Sequence, residues 1–572
     1  MNREHHLLGL SITKMVNRLS SAQLVYLDGS ASSGKFPLAD DSLFLPGGEV
    51  EIVAGSGSDE VSLFNGTVVR QSIKIRDRSP SQLVVECRHQ ASKMTIGRKS
   101  AYFFDQTDSD IITALLDAAS VDADVESTSV THKQQVQYDS TDWDFIVSRA
   151  DACGRAVFAN DKKVKVATPK LGGTPVCTLL YGATILEMDA EMDSRFQYPA
   201  VKSFTWDPAQ QAVSEKDATD PGQLAPGDVS TDDLAAVAGL DHYRLQSAAV
   251  TEEEAQAWAD AQWLKSKLSK VSGRIKCEGI GSVNPGDTVE VDGVGGRFSG
   301  KVFVTGVRHD FDTVQGWKTH IQFGSMEKWF AEEQPVSAPK AAALLPAVSG
   351  LQIGVVVSNE DPDGEHRVRV RMPLVSAEED GTWARVATLD AGNDRGFFFR
   401  PEVDDEVVLG FLNDDPRQAV ILGMLHSSAN AAPLQGSDDN HEKVYQSRSK
   451  MKLYFNDEKK VMQFETPGGN SIILSEEDKA IKISDQNGNK IEMTQDGITM
   501  ESSKAITLKA GTEVKLESGT SFAAKAGTEM KIESGTSLGA KGGTELKLEG
   551  TAGAELSSSA VTKVKGSLLQ LN

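Results

Sequence analysis

The chain has 572 residues, a formal net charge of −23 and a pI near 5.0, which argues against nucleic acid as its main partner. Its length suits roughly three or four domains. Four widely separated cysteines (Cys87, Cys153, Cys177, Cys277) with no CxxC pair indicate neither a disulfide framework nor a zinc knuckle, and suit a reducing cytoplasm.

The N-terminus, MNREHHLLGLSITKM, carries an apolar run too short for a signal peptide, and no run approaches membrane-spanning length. The expectation is folding in a reducing cytosol, with any export by a route other than general secretion. Residues 10–105 read as strands between turns (AQLVYLDG, EVEIVAG, VSLFNGTVVRQSIKI, SQLVVECRH), which predicts a β-rich domain, a barrel. Asp108-Ser109-Asp110 is placed to cap a helix with Ile111, Ile112, Leu115 and Leu116 on one face. TDWDFIVSRADACG predicts a second short helix stopped at Gly154, followed by strands RAVFA and KVKVATP. Residues 207–235, rich in Asp, Pro, Ala and Gln, read as a long loop. Thr251 with Glu254 forms a capping box for a helix over 252–271. Strands return from 274 to 323, and 331–350 is a linker by composition.

Beyond the linker lies a compact all-β unit, 351–426, whose short strands (LQIGVVVSN, HRVRVRMPL, TWARVATL, GFFFRPEV, DEVVLGFL, QAVILGML) fit a small barrel of the OB type. A polar neck, 427–465, leads through TPGGN and the Asn487-Gly488 and Asp496-Gly497 turns into a tail, 466–572. From 495 to 558 that tail repeats every eight residues. The fourth and sixth octad places are always apolar: Ile498/Met500, Ile506/Leu508, Val514/Leu516, Phe522/Ala524, Met530/Ile532, Leu538/Ala540, Leu546/Leu548 and Ala554/Leu556. Period-2 alternation inside each octad predicts a short strand with one buried face. Gly511, Gly519, Gly527, Gly535 and Gly543 are expected at bends where φ > 0 is cheap. Two apolar side chains per octad cannot offset a strand's conformational entropy in one chain, so the repeat predicts a trimer sharing one axial core. Alternation of Glu and Lys at the seventh place, from Glu501 to Glu549, would set Glu against Lys on successive rungs; a charge-mixed outer face is the simpler alternative.

The stretch GTWARVATLDAGNDRGFFFRPEVDDEVVLGFLNDDPRQAVILGMLHSS resembles the OB core of the VgrG-type spike proteins of contractile injection systems. The likeness runs through WARV (383–386), GFFF (396–399), Pro401, DEVV (405–408), GFLN (410–413), DP (415–416) and VILG (420–423). QYDSTDWDFIVSRADACG resembles that family's hub helix, and GRFSGKVFVTGVRHDF the closing strands of the hub. One departure is Asp404, where the family has glycine in the turn before DEVV. The resemblance implies a mainly β protein: a hub of paired β-barrels with a few helices (1–330), an OB-fold collar and an intertwined trimeric β-helix needle (466–572). With one strand spacing of roughly 4.8 Å per octad, the needle would hold about 13 octads and reach on the order of 60 Å. The implied partners are two further copies of the chain, baseplate and inner-tube proteins, a PAAR-type tip protein and effector cargo, with the target membrane pierced. The abrupt start tilts the reading from type VI secretion toward extracellular phage-tail-like particles.

Three motifs imitate sites. GSASSGK (Gly29 to Lys35) has Phe36 where a P-loop needs Ser/Thr, and Pro37 where its helix would open, so a hairpin loop is expected. NEDPDG (Asn359 to Gly364) has Val370 where a calcium loop needs its bidentate Glu, so a polar loop is expected. The ten histidines form no HxxxH or HExxH; His309 and His320 are expected to be structural or at the surface. No catalytic, cofactor-binding or metal-ligating residue is expected. The interval between OB unit and octads is too short for an inserted lysozyme domain, and the end at Asn572 leaves no room for a fused toxin or an adhesin head. A cell-wall hydrolase and a trimeric fibre or adhesin are the alternatives. At the tail's end the register breaks, and Leu568, Leu569 and Leu571 form a candidate docking surface for the tip protein, or simply close the core.

Overall fold

The computed structural model describes residues 5–55, 60–222 and 226–571, and the chain divides into two units, Met1–Leu425 and His426–Asn572. In the first unit the dominant element is an 11-stranded sheet. Its main path runs Ile185–Met192, Val271–Glu278, Gly316–Phe323, Gly300–Asp312, Leu7–Met15, Ser21–Leu27, Ser79–Arg88, Val61–Arg76, Glu49–Ala54. The N-terminal strand Leu7–Met15 lies between a strand next to it in sequence and one some 300 residues later, pairing Ile12 with Ala22 on one side and His309 on the other. Two cores form along this sheet. One gathers Ile12, Tyr26, Phe64, Leu83 and Val85; the other gathers Ile275, Val289, Val304, Ile321 and Phe323. The expected pair of barrels therefore takes the form of two cores strung on one sheet; among the described residues a closed ladder occurs only in the OB unit.

Helices α1 (Asp108–Ala118) and α2 (Asp142–Ala152) pack with the small sheet Asp122–Val125, Lys163–Ala167, Ala156–Asn160 around Ile112, Leu116, Trp143, Ile146 and Val157. The cap of α1 is Thr107, in a reciprocal box with Asp110, and not the Asp108-Ser109-Asp110 run. Thr107 accepts from the Asp110 N–H, which frees Asp108 to turn inward. The expected 207–235 loop is also corrected. It holds the strand Ala212–Asp217, paired with Val201–Asp207, and the start of α3 (Thr231–Ala238), capped by Ser230 and stopped at Gly239 with φ +62°. Only Thr231 and Ala235 of α3 are buried, so its polar composition reads as loop. Helix α4 (Glu252–Leu268) ends earlier than predicted, because Val271 already opens a strand. Its Thr251 caps Glu254, but the Glu254 carboxylate does not return to the cap; it reaches Arg149 instead, at 3.3 Å.

The OB unit is a closed five-stranded barrel in the order Gln352–Ser358, Val368–Arg371, Thr382–Val386, Ala419–Met424, Glu406–Phe411. Val356, Val368, Val370, Val407, Leu409 and Ile421 fill it. GFFFRPEV is not a barrel strand: only Arg395–Gly396 pairs, with Ala391–Gly392, and Phe397 to Phe399 are exposed. Asp404, the departure from the family's glycine, has φ +72°, so this turn keeps the left-handed geometry that glycine favours and aspartate tolerates.

In the second unit, residues 442–501 form a seven-stranded antiparallel meander from Glu442–Gln446 to Gly497–Glu501, with Gly488 and Gly497 at positive φ in the expected turns. Beyond it the octads differ from expectation. Residues 502–571 carry no strand, and Gly511, Gly519, Gly527, Gly535 and Gly543 bend without entering positive φ. A strand exists through its ladder, and within one chain these segments have no neighbour to pair with. The first octad still forms the last hairpin strand, Gly497–Glu501, and antiparallel hairpins occupy 466–501 ahead of the remaining octads.

Candidate trimer interface

The meander presents two faces of different character. Following the ladder, Tyr445, Leu453, Phe464, Ile472, Ile483, Ile491 and Met500 stand opposite one another in one row. Phe455, Met462, Leu474, Ile481, Met493 and Ile498 form a second row on the same face, with Lys443 at its edge. The opposite face is mixed: Val444, Tyr454, Gln463, Ile473, Lys482, Glu492 and Thr499. Grooves of about 1040 and 1060 Å³ follow the two apolar rows. Met462, Phe464, Leu474, Ile483 and Met493 are only partly covered by their own chain. A Leu or Ile side chain gains roughly 1.5–3 kcal/mol on full burial, so a face this long left partly exposed is a surface that further cover would stabilise. Cross-strand pairs fix its register at the edges, with Lys490 2.9 Å from Glu501.

The last strand of the meander is the first octad, and Ile498 and Met500 end the two rows. The other candidate core residues, Ile506, Leu508, Val514, Leu516, Phe522, Met530, Ile532, Leu538, Leu546, Leu548 and Leu556, continue along the tail. All are exposed in the single chain, from 51% at Met530 to 82% at Leu548, and none joins a core cluster. Leu568, Leu569 and Leu571 are exposed as well, and the single chain does not gather them into a site. The meander rows escaped the sequence reading although their apolar alternation is present, because strands that start seven to ten residues apart show no fixed octad period.

Other polar clusters are closed on themselves. Arg367 donates to Asp361 from Nε at 2.9 Å and from Nη2 at 2.8 Å, so a guanidinium fills the place a calcium ion would take in NEDPDG, and Val370 is in the barrel core. Ser30 bridges to Lys35, making GSASSGK a hairpin. His309 is buried against Thr319, and burial lowers its pKa to about 4. Burial pushes the Cys87, Cys153 and Cys277 thiols up to about 12, well away from reactive thiolates. Among the described residues no cluster of His, Cys, Asp or Glu has metal-site geometry. Sequence reasoning missed one buried cluster, at a cavity of about 170 Å³ in the first unit. There Asp108 receives Arg149 Nε at 2.7 Å, Arg149 Nη2 at 3.1 Å and His132 Nε2 at 2.9 Å. Burial pushes the Asp108 carboxyl up, but the His132 and Arg149 hydrogen bonds outweigh it and hold it below the usual carboxylate range.

Family comparisons follow the same division. Residues 1–313 match the Alg8 N-terminal domain, 352–426 the type VI secretion system/phage-baseplate injector OB domain, and 461–520 the phage baseplate V C-terminal trimerisation domain. The chain belongs to the VgrG-type spike family. The trimerisation match covers most of the two-row meander and the first octads. VgrG relatives include the type VI secretion system spike protein VgrG3 of Vibrio cholerae, 32% identical over 140 residues, 23% of this chain and 13% of that protein. The actin cross-linking toxin VgrG1 of the same species is 34% identical over 113 residues, 18% of this chain and 10% of that protein. The chain thus aligns with less than a fifth of the length of these curated VgrG relatives. Solved structures with some likeness include a tail protein from Neisseria meningitidis (16% identity, TM-score 0.42, covering 57% of this chain and 93% of that one). A chain of a Francisella PdpA–VgrG complex is similar at 8% identity and TM-score 0.37, covering 87% of this chain and 84% of that one. Among the described residues no helix is long and apolar enough to cross a membrane.

Proposed function

We propose that three copies of this chain form the puncturing spike of a contractile, phage-tail-like injection apparatus. The observation that carries the reading is the apolar two-row face of residues 442–501, uncovered in one chain and continued by the octads. Two further copies supply the cover, and the match to a trimerisation domain over 461–520 supports that occupant. In this reading the first unit engages baseplate and inner-tube proteins, the trimer assembles in the cytoplasm, and the work done on the target membrane is mechanical. A bundle whose backbone hydrogen bonds are closed by three chains resists lateral load, because bending it breaks several strands together. Light scattering on the purified protein is expected to give three times the 61.5 kDa chain mass; a monomer would overturn the reading. A hydrolase reading would instead require peptidoglycan release by the purified protein.

Leu568, Leu569 and Leu571 are proposed to form, in three copies, an apolar surface that docks a PAAR-type tip protein and, through it, effector cargo. Truncation after Lys565 is expected to abolish co-purification of that tip protein while leaving the trimer mass otherwise intact. Unchanged capture would remove the docking role and leave these leucines as core closure.

A further inference from the structure

The octads are not all alike. From 511 to 550 they alternate between two kinds, GTEVKLES, GTEMKIES and GTELKLEG against GTSFAAKA and GTSLGAKG, so the true repeat is sixteen residues. The alternation affects the charged side and the apolar side together. At the seventh place stand Glu517, Lys525, Glu533, Lys541 and Glu549. At the sixth place Leu516, Ile532 and Leu548 alternate with Ala524 and Ala540. Lys515 lies 2.7 Å from Glu517, Lys531 3.6 Å from Glu529 and Lys547 2.6 Å from Glu549, which puts places three, five and seven on one side of the chain and the apolar places on the other.

We propose that this sixteen-residue alternation is a register lock among the three tails, an inference that rests on the trimer reading above. Around a three-fold axis, identical chains that each contribute one strand per octad stack so that neighbours along the axis differ by one octad. An eight-residue repeat alone would accept a chain displaced by one whole octad, because every apolar place would still meet an apolar place. With the double repeat, correct stacking sets Glu517 against Lys525 and Glu533 against Lys541, and sets a large sixth-place side chain above an alanine. A one-octad slip sets Glu against Glu, Lys against Lys, and Leu516 against Ile532. The slipped state is then penalised by like charge at strand spacing and by alternate crowding and voids in the core. The partner surface is thus a second copy of the same tail, accepted in one register only.

The test places a nitroxide at Ser537→Cys, an outward third place, in a Cys177→Ser background, and measures inter-label distances by pulsed EPR alongside the mass. Wild-type tails are expected to give one narrow distance. The variant E517K/E533K/E549K is expected to add a second population offset by roughly 4.8 Å along the axis, or to lose the trimer. Adding K525E/K541E, which restores opposite charges from 517 to 549 with the signs exchanged, is expected to restore the single distance. Molar salt, by shortening the screening length to about 3 Å, is expected to weaken the discrimination. A triple variant that keeps the wild-type distance, or a five-fold variant that fails to recover it, would overturn the register lock. A monomeric wild-type mass would instead overturn the trimer reading.

Discussion

Replacing Ile532 with aspartate is expected to abolish the trimer while Met1–Leu425 stays folded. Ile532 is a sixth-place octad residue, exposed in the single chain and assigned to the shared core. In three copies the substitution removes three apolar side chains, each worth roughly 1.5–3 kcal/mol when buried. It also sets three carboxylates near one axis, each with a desolvation penalty of several kcal/mol and no cation to offset it. The cores of the first unit lie entirely within Met1–Leu425 and contain no octad residue, so its circular dichroism and its melting transition are expected to persist. Two controls separate position from charge. Ile532→Val keeps the apolar row and is expected to retain the trimer. Lys531→Asp places the same carboxylate on the outer side and is expected to retain it too. A full-size trimer from Ile532→Asp in light scattering would show that Ile532 is not axial.

Arg149→Met is expected to destabilise the first unit by about 3–5 kcal/mol at neutral pH, the usual result of removing one partner from a buried ion pair. Asp108 is 2% exposed at its side chain and would keep only the His132 hydrogen bond. Glu254 on α4 would lose the same guanidinium, so three elements come loose together: α1 through Asp108, α2 through Arg149 and α4 through Glu254. The pH dependence follows from the depressed Asp108 carboxyl. Its contribution is present above the unfolded value of about 3.9 and is lost as pH falls through the lower folded value. The gap between wild type and Arg149→Met is therefore expected to narrow below about pH 4. Asp108→Asn combined with Arg149→Met removes the stranded charge and is expected to recover part of the loss. A single-variant change within about 0.5 kcal/mol, the range of ordinary surface substitutions, would show that the cluster is not a clamp.

What could be read from the sequence follows the reach of each interaction. The OB strands were legible because Val368, Val370, Val407 and Leu409 alternate with polar neighbours inside each short segment. The octad apolar places were legible because the eight-residue period is fixed along the chain. The two-row meander was not, since Phe464, Ile472 and Ile483 come into line only after hairpins of unequal length fold back. Asp108 looked like a helix cap because it stands beside one; its partners Arg149 and His132 lie on other elements, and only the tertiary fold brings them to it. Helix α3 was hidden by the opposite problem, a polar surface over a nearly absent buried stripe.

The insertion of Leu7–Met15 beside Gly300–Asp312 has a consequence for biosynthesis. The Leu7–Met15 strand cannot complete its ladder until its partner, some 300 residues later, has emerged. At translation rates of about 5–20 residues per second, that delay is roughly 15–60 s. Throughout it the Leu7–Met15 strand has one of its two ladders unformed. The octads are translated only after that strand has its partner, so each hub can close on itself before its tail is available to meet two others.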